Sequence, residues 1–291
     1  MRADLRVKIY CRSFDLRLYR LSKGLYESWG FPCVRLTDQS ADGYFHTMLQ
    51  DTECDIAINV DEDCFICDKQ AVLRLVEYVV AHGYANAGCP DGASWVPRGG
   101  NPLVTNPFFN VFDLRLIREK YSLEAVASFD YKAHRAEMEA AFPKQVFYGD
   151  RRYSYDETKY VEPYYPFFLW LAYNTRTLYL PNGGHPDGWT TVLHNHLGEE
   201  ICRHTWLARF YSVPAFVVRH WQPTAGAQKE RIDAVIREAY EKAGLSVPQF
   251  TMADRCAFAA NQLVRWLIKI PQRVAGWPAK FKQKKQKRAC R

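Results

Sequence analysis

The chain has 291 residues, 48% of them hydrophobic and 15% aromatic, which suits one large α/β domain with a sizeable core, or such a domain plus a small appendage. Its formal charge of +7 belongs to one end: eleven Lys and Arg and no acid lie in residues 255–291, which leaves the first 254 residues at −4. That balance argues against a basic nucleic-acid groove in the body of the chain, and no run of 18 apolar residues offers a spanning helix. Nine Cys without framework spacing, and no apolar leader over Met1–Tyr10, lead to the expectation of reduced thiols in a cytoplasmic protein. Cys64-x-x-Cys67 has no second pair to complete a zinc site, so both are expected as buried or loop thiols.

In chain order, Val7–Cys11 reads as a first strand, a helix follows from about Leu16 to Trp29 and ends at Gly30, and Phe31–Leu36 reads as a second strand. This β-α-β opening fits the nucleotide-binding half of a doubly wound sheet. No Gly-x-Gly-x-x-Gly and no P-loop follows the first strand, which argues against a dinucleotide dehydrogenase, a P-loop kinase or a sugar nucleotidyltransferase. After a loop and helix over Gln39–Thr52, Asp55–Asp63 stands out. Ile56, Ile58 and Val60 alternate, Ala57 keeps the other face apolar, and the strand runs out into Asp61-Glu62-Asp63. Ligands of open α/β sheets bind beyond the carboxyl ends of strands. Two hard carboxylates one residue apart suit Mg²⁺ or Mn²⁺; the plain alternative is a solvated turn that caps the next helix. That helix, Asp68–His82, carries a core stripe of Ala71, Val72, Leu75, Val76 and Val79.

Tyr84–Cys89 reads as the next strand, and Pro90–Asn101 as a loop rich in Gly and Pro. Asn106–Leu114 is a strand or loop. Glu124–Phe142 is helical, Lys144–Asp156 is a polar segment suited to closing over a ligand, and Glu162-Pro163 precedes an apolar helix. His194, His196 and His204 then cluster with Arg209. From Gln228 the character changes. Lys229–Ala243 is an amphipathic helix, and Met252–Ile270 is a second one, with Ala259, Leu263, Trp266, Leu267 and Ile270 on one face and Gln262, Arg265 and Lys269 on another. The Lys-rich end after it, with Trp277 and Phe281, suits an anionic membrane surface or a solvated tail.

The strand that ends in Asp61-Glu62-Asp63 resembles glycosyltransferases of the GT-A fold, whose Asp-x-Asp motif follows an apolar strand in this way; the resemblance spans residues 5–215. It implies a Rossmann-like mixed α/β sheet flanked by helices, placed over residues 1–227; the change of character after it is read as a helical basic appendage over 228–291. It further implies that Asp61 and Asp63 hold Mn²⁺ or Mg²⁺ together with a His, for which His196 is chosen because Gly198 lets the backbone approach closely. Arg12, Asp38 and Arg209 would meet the UDP- or GDP-linked donor, Asp38 as a ribose or base contact or as an ordinary strand-end acid, and Arg209 as a phosphate clamp. Asn106 and Asn110 would meet sugar hydroxyls or satisfy loop backbone. Glu162, with Asp156 second, would be the acceptor base of an inverting enzyme or an ordinary helix cap. Glu162 is followed by Pro163, which departs from the Glu-Asp pair of family-two enzymes and leaves the stereochemical course open.

The expected function is therefore metal-dependent sugar transfer to an acceptor hydroxyl on a glycan or lipid-linked glycan, as in bacterial surface glycan assembly, by a cytoplasmic enzyme peripheral to the inner membrane face. Two other classes stay open. A non-catalytic, membrane-associated sugar-nucleotide or glycan binder would bind without turnover. A metal-dependent hydrolase would cleave donor that no acceptor accelerates.

Overall fold

The computed structural model describes residues 5–37, 39, 43–92, 100–142, 162–208, 211–212, 225–265 and 267. Six strands build the main sheet: β1 (Val7–Arg12), β2 (Cys33–Leu36), β3 (Ile56–Asp61), β5 (Asn86–Pro90), β6 (Thr105–Asp113) and β7 (Thr177–Tyr179), in the order β2-β1-β3-β6-β5-β7. β1 pairs in parallel with β2 and β3, and β5 with β7, whereas β6 runs antiparallel to both β3 and β5. The carboxyl ends of β1, β2, β3, β5 and β7 therefore share one edge. The fold is α/β with a mixed six-stranded sheet flanked by helices.

Strand alternation divides the core into two faces. Val7 and Ile9 of β1, Ile56, Ile58 and Val60 of β3, and Val111 of β6 are buried under α1 (Leu16–Lys23) and α3 (Lys69–Ala81), whose stripe of Ala71, Val72, Leu75, Val76 and Val79 is wholly buried. Tyr10, Ala57 and Phe112 face the other way, under α2 (Gly43–Gln50), α4 (Leu114–Arg118), α6 (Tyr131–Ala141) and α7 (Tyr165–Asn174). A short α5 (Leu123–Ala127) precedes α6, so the helix expected over Glu124–Phe142 is two. Ser122 and Asp130 each cap a new start, with their side-chain oxygens accepting from Ala125 and Lys132 N–H.

A second, antiparallel sheet has the order β4-β10-β9-β8, from β4 (Cys64–Ile66), β8 (Asn182–Gly184), β9 (Thr191–His194) and β10 (Glu200–His204). It joins the first core through Phe65, Leu193, Ile201 and Cys202. Cys64 and Cys67 are buried thiols, as expected.

The helix α8 (Ala225–Lys242) corrects the expected boundary at 227/228. Its Ile232, Val235, Ile236, Ala239 and Tyr240 are buried in the same cluster as β1 and β3, so it is part of the domain core and not an appendage. Tyr240 also shortens the first helix. Its hydroxyl donates to Leu21 O at 2.6 Å and sits where a Cβ on Gly24 would be, 2.2 Å away, so α1 ends at Lys23 and not near Trp29. A last helix, α9, covers 252–265; Thr251 and Asp254 form its capping box, with Thr251 Oγ1 accepting from Asp254 N–H at 3.2 Å and Asp254 Oδ2 from Thr251 N–H at 2.9 Å. No described helix is long and apolar enough to cross a membrane.

Candidate functional site

The three acids occupy the crossing between the two sheets. Asp61 is the last residue of β3 in the main sheet, and Cys64 is the first of β4 in the second. The chain changes sheet within two residues, so Asp61, Glu62 and Asp63 are held from both sides.

On one side stands Arg12, the last residue of β1 and in register with Asp61. Its Nη2 lies 3.2 Å from Asp61 Oδ2 and its Nε 3.4 Å from Oδ1, with Tyr44 and Phe14 rings 5.4 and 5.8 Å from the guanidinium carbon. On the other side stands His204, the last residue of β10 and in register with Cys64. Its Nε2 is 3.3 Å from Asp63 Oδ1. The imidazole stacks on Phe108 at 4.3 Å and meets the edge of Trp206 at 4.2 Å; it is 4% exposed, and its Nδ1 has no hydrogen-bond partner among the described residues.

The two aspartates remain partly reachable, with side chains 14% and 16% exposed. Their proton affinities are pushed apart. Burial lifts the Asp61 carboxyl above its ordinary value; Arg12 opposes this, and the charge of Asp63 adds to it. Burial works against ionisation of Asp63 as well, but the adjoining His204 outweighs it and holds Asp63 below the usual carboxylate range.

Glu62 turns away from this pair. It accepts from Phe14 N–H at 2.9 Å and Asp15 N–H at 2.6 Å, closing the β1–α1 loop. Burial and then the neighbouring Asp15 carboxylate push it up to about 8. Asp15 caps α1 through Arg17 and Leu18 N–H at 2.9 and 3.1 Å, and its second oxygen accepts from Gln262 and Arg265 of α9.

The turn after His204 is strained: Trp206 and Leu207 have φ of 52° and 57°, a region that L residues with side chains avoid. Arg231 of α8 holds it. Its Nη2 donates to Thr205 O at 2.5 Å and Trp206 O at 3.2 Å, and its Nη1 to Asp187 Oδ2 at 3.0 Å. Thr205 N–H in turn donates to Asp63 O at 3.0 Å, which ties the turn to the acidic crossing.

Of the residues singled out from sequence, Arg12, Asp61 and Asp63 come together here. His196 does not. It lies in the β9–β10 turn, at the opposite end of β10 from His204, with its ring stacked on Tyr78 of α3 at 3.9 Å, and burial holds it below its ordinary pKa. His204 takes the place expected for it, because β10 pairs antiparallel with β4; a contact between residues 141 positions apart leaves no local signal. Asn106 and Asn110 are corrected to structural roles. Asn110 is fully buried, donates to Asn106 O and accepts from Thr105 Oγ1, both at 2.8 Å. Asn106 is 5% exposed and donates to Asp91 at 2.5 Å. Glu162 lies in the turn before α7, its carbonyl accepting from Tyr165 N–H at 3.1 Å, three residues before the tyrosine whose hydroxyl meets Asp91 beyond β5. Asp38, Asp156 and Arg209, the segment Lys144–Asp156 and the basic end beyond residue 267 lie outside the described residues.

Among the described residues no three His, Cys, Asp or Glu side chains converge as a metal cage. Two adjacent carboxylates still fit Mg²⁺ or Mn²⁺, which take their other ligands from water and from phosphate oxygens.

No family model matches the chain, and no curated protein matches it. A solved structure titled A197 from STIV aligns with a TM-score of 0.34 and 11% identity, over 68% of this chain and 93% of that one. A likeness of that degree carries no assignment.

Proposed function

We propose that the chain is a metal-dependent glycosyltransferase of GT-A type that moves a sugar from a nucleotide-sugar donor to an acceptor hydroxyl. One observation carries this: Asp61 and Asp63 stand together, partly reachable, at the carboxyl end of a parallel strand, flanked by Arg12 and His204. Asp61 and Asp63 would hold Mg²⁺ or Mn²⁺, and the cation would supply Lewis-acid stabilisation of the leaving diphosphate. Asp63 is the ready ligand, because His204 keeps it ionised and fixes its direction. Arg12 holds Asp61 in the free protein and would exchange that carboxylate for a phosphate oxygen of the donor. Glu162, in the turn before α7, is the proposed acceptor base. An acceptor borne on lipid and a peripheral place on the inner membrane face follow from the basic C-terminal residues.

Isothermal titration with UDP and GDP, with and without Mn²⁺, tests the proposal. Metal-dependent binding of one nucleotide, abolished in Asp61→Ala/Asp63→Ala, supports it. Binding that ignores both the metal and the substitutions refutes it.

A further inference from the structure

The helix α9 is amphipathic in the reverse of the usual sense. Its polar side chains face the protein. Asn261 accepts from Leu16 N–H at 3.0 Å, Gln262 and Arg265 donate to Asp15 at 2.8 and 3.1 Å, and Asp254 pairs with Arg20. The one buried apolar residue on that side, Phe258, packs on Phe250 at 4.8 Å and under the Arg20 guanidinium. The outward side is apolar. At 100° per residue, Ala259, Met252, Leu263, Cys256, Leu267, Ala260, Ala253 and Val264 cover an arc of about 140° without a charge. Every one of them is exposed, Met252 by 72%, Leu263 by 57%, Val264 by 51% and Leu267 by 50%. A continuous apolar face of this kind marks a surface that something covers.

We propose that this face is the seat of the protein on an anionic phospholipid surface. The sequence that continues from it points to that occupant. Residues 268–291 carry nine Lys and Arg, no acid, and the interfacial aromatics Trp277 and Phe281. An apolar helix face and a run of cations following it in sequence are the two signals that together give stable attachment to a negatively charged bilayer. A second copy docked on the same face would bring two such basic runs together, which disfavours it. The hydrogen bonds of α9 give the seat a direction. Those of Asn261, Gln262 and Arg265 end on Leu16 and Asp15, at the loop that Glu62 closes, which ties the seat to the segment next to the acidic crossing. This deepens the transferase proposal by supplying a lipid-borne acceptor, and the docking surface itself does not depend on it.

Flotation of the full chain with vesicles tests the seat, using phosphatidylcholine alone and phosphatidylcholine mixed with phosphatidylglycerol. The wild type is expected to float with the mixed vesicles and to stay behind with the neutral ones. Leu263→Asp/Leu267→Asp, which leaves every residue 268–291 in place, is expected to weaken partitioning on the order of a hundredfold. Its melting temperature should match the wild type, because both side chains are exposed. The nucleotide titration is run on the same variant: unchanged nucleotide binding with lost flotation isolates the seat from the catalytic proposal. Wild-type protein that ignores anionic vesicles overturns the inference. So does a double variant that floats as the wild type does, since the basic residues would then act alone. A wild-type dimer that the double variant converts to a monomer would likewise overturn it, in favour of a second copy.

Discussion

Two acidic groups sit on the same edge of the main sheet, and they have opposite fates. Asp91 directly follows β5, and Asp61 is the last residue of β3. Asp91 is fully buried and saturated: Tyr165 and Tyr164 hydroxyls donate at 2.6 and 3.1 Å, and Asn106 Nδ2 donates at 2.5 Å. Gly100 packs so closely that a Cβ there would lie 2.7 Å from its backbone carbonyl. Asp61 and Asp63 are held by cationic or basic side chains instead, and they keep part of their surface open. A carboxylate at a strand end is thus not a site by position alone. What separates the two is whether the neighbouring donors leave oxygens for a ligand.

The largest expected effect on stability comes from Arg231→Met, which removes the donor to the carbonyls of Thr205 and Trp206 and the cation paired with the Asp187 carboxylate, around an already strained turn. A loss of about 3–5 kcal/mol in chemical denaturation is expected. His204→Ala removes a ring stacked on Phe108 and packed edge-on to Trp206 and should cost about 2–4 kcal/mol. It should also weaken Mn²⁺ affinity by about 10–100-fold, which a purely structural residue would not do. Asp91→Asn should cost about 2–3 kcal/mol by leaving a tyrosine hydroxyl poorly matched, with Mn²⁺ affinity unchanged.

A pH dependence of stability is expected at Glu62. Glu62 has its folded-state pKa raised from the ordinary 4.5 to about 8. The folded chain therefore holds this proton more tightly than the unfolded one, and stability falls as pH rises from about 4.5 through about 8. Glu62→Gln keeps an acceptor for the Phe14 and Asp15 N–H groups. Its melting temperature should match the wild type near pH 5 and exceed it near pH 9. An equal difference at both pH values would place the proton elsewhere.

Much of the main sheet was legible because its strands alternate and its helices carry stripes: Ile56, Ile58 and Val60 bury one face of β3, and the five apolar residues of α3 face them. The acids and Arg12 were legible for the same reason, since each stands where a strand runs out. What was not legible depends on distant contacts. The shortened α1 follows from the hydroxyl of Tyr240, more than two hundred residues away. α8 has the amphipathic pattern expected of an appendage, and only its packing against β1 and β3 makes it core. His196 and His204 look alike in sequence, and the pairing of β10 with β4 decides which one meets Asp63. Asn106 and Asn110 resemble sugar contacts until burial removes them from solvent.

The most direct test of the central claim is Mn²⁺ binding followed by electron paramagnetic resonance, with UDP and then GDP present, on wild type, Asp91→Asn and Asp61→Ala/Asp63→Ala. Wild type and Asp91→Asn should each take up Mn²⁺ with one of the two nucleotides, and the double variant should leave the free-ion signal unchanged. Uptake by the double variant equal to wild type would contradict the assignment of the acidic crossing as the metal and diphosphate site.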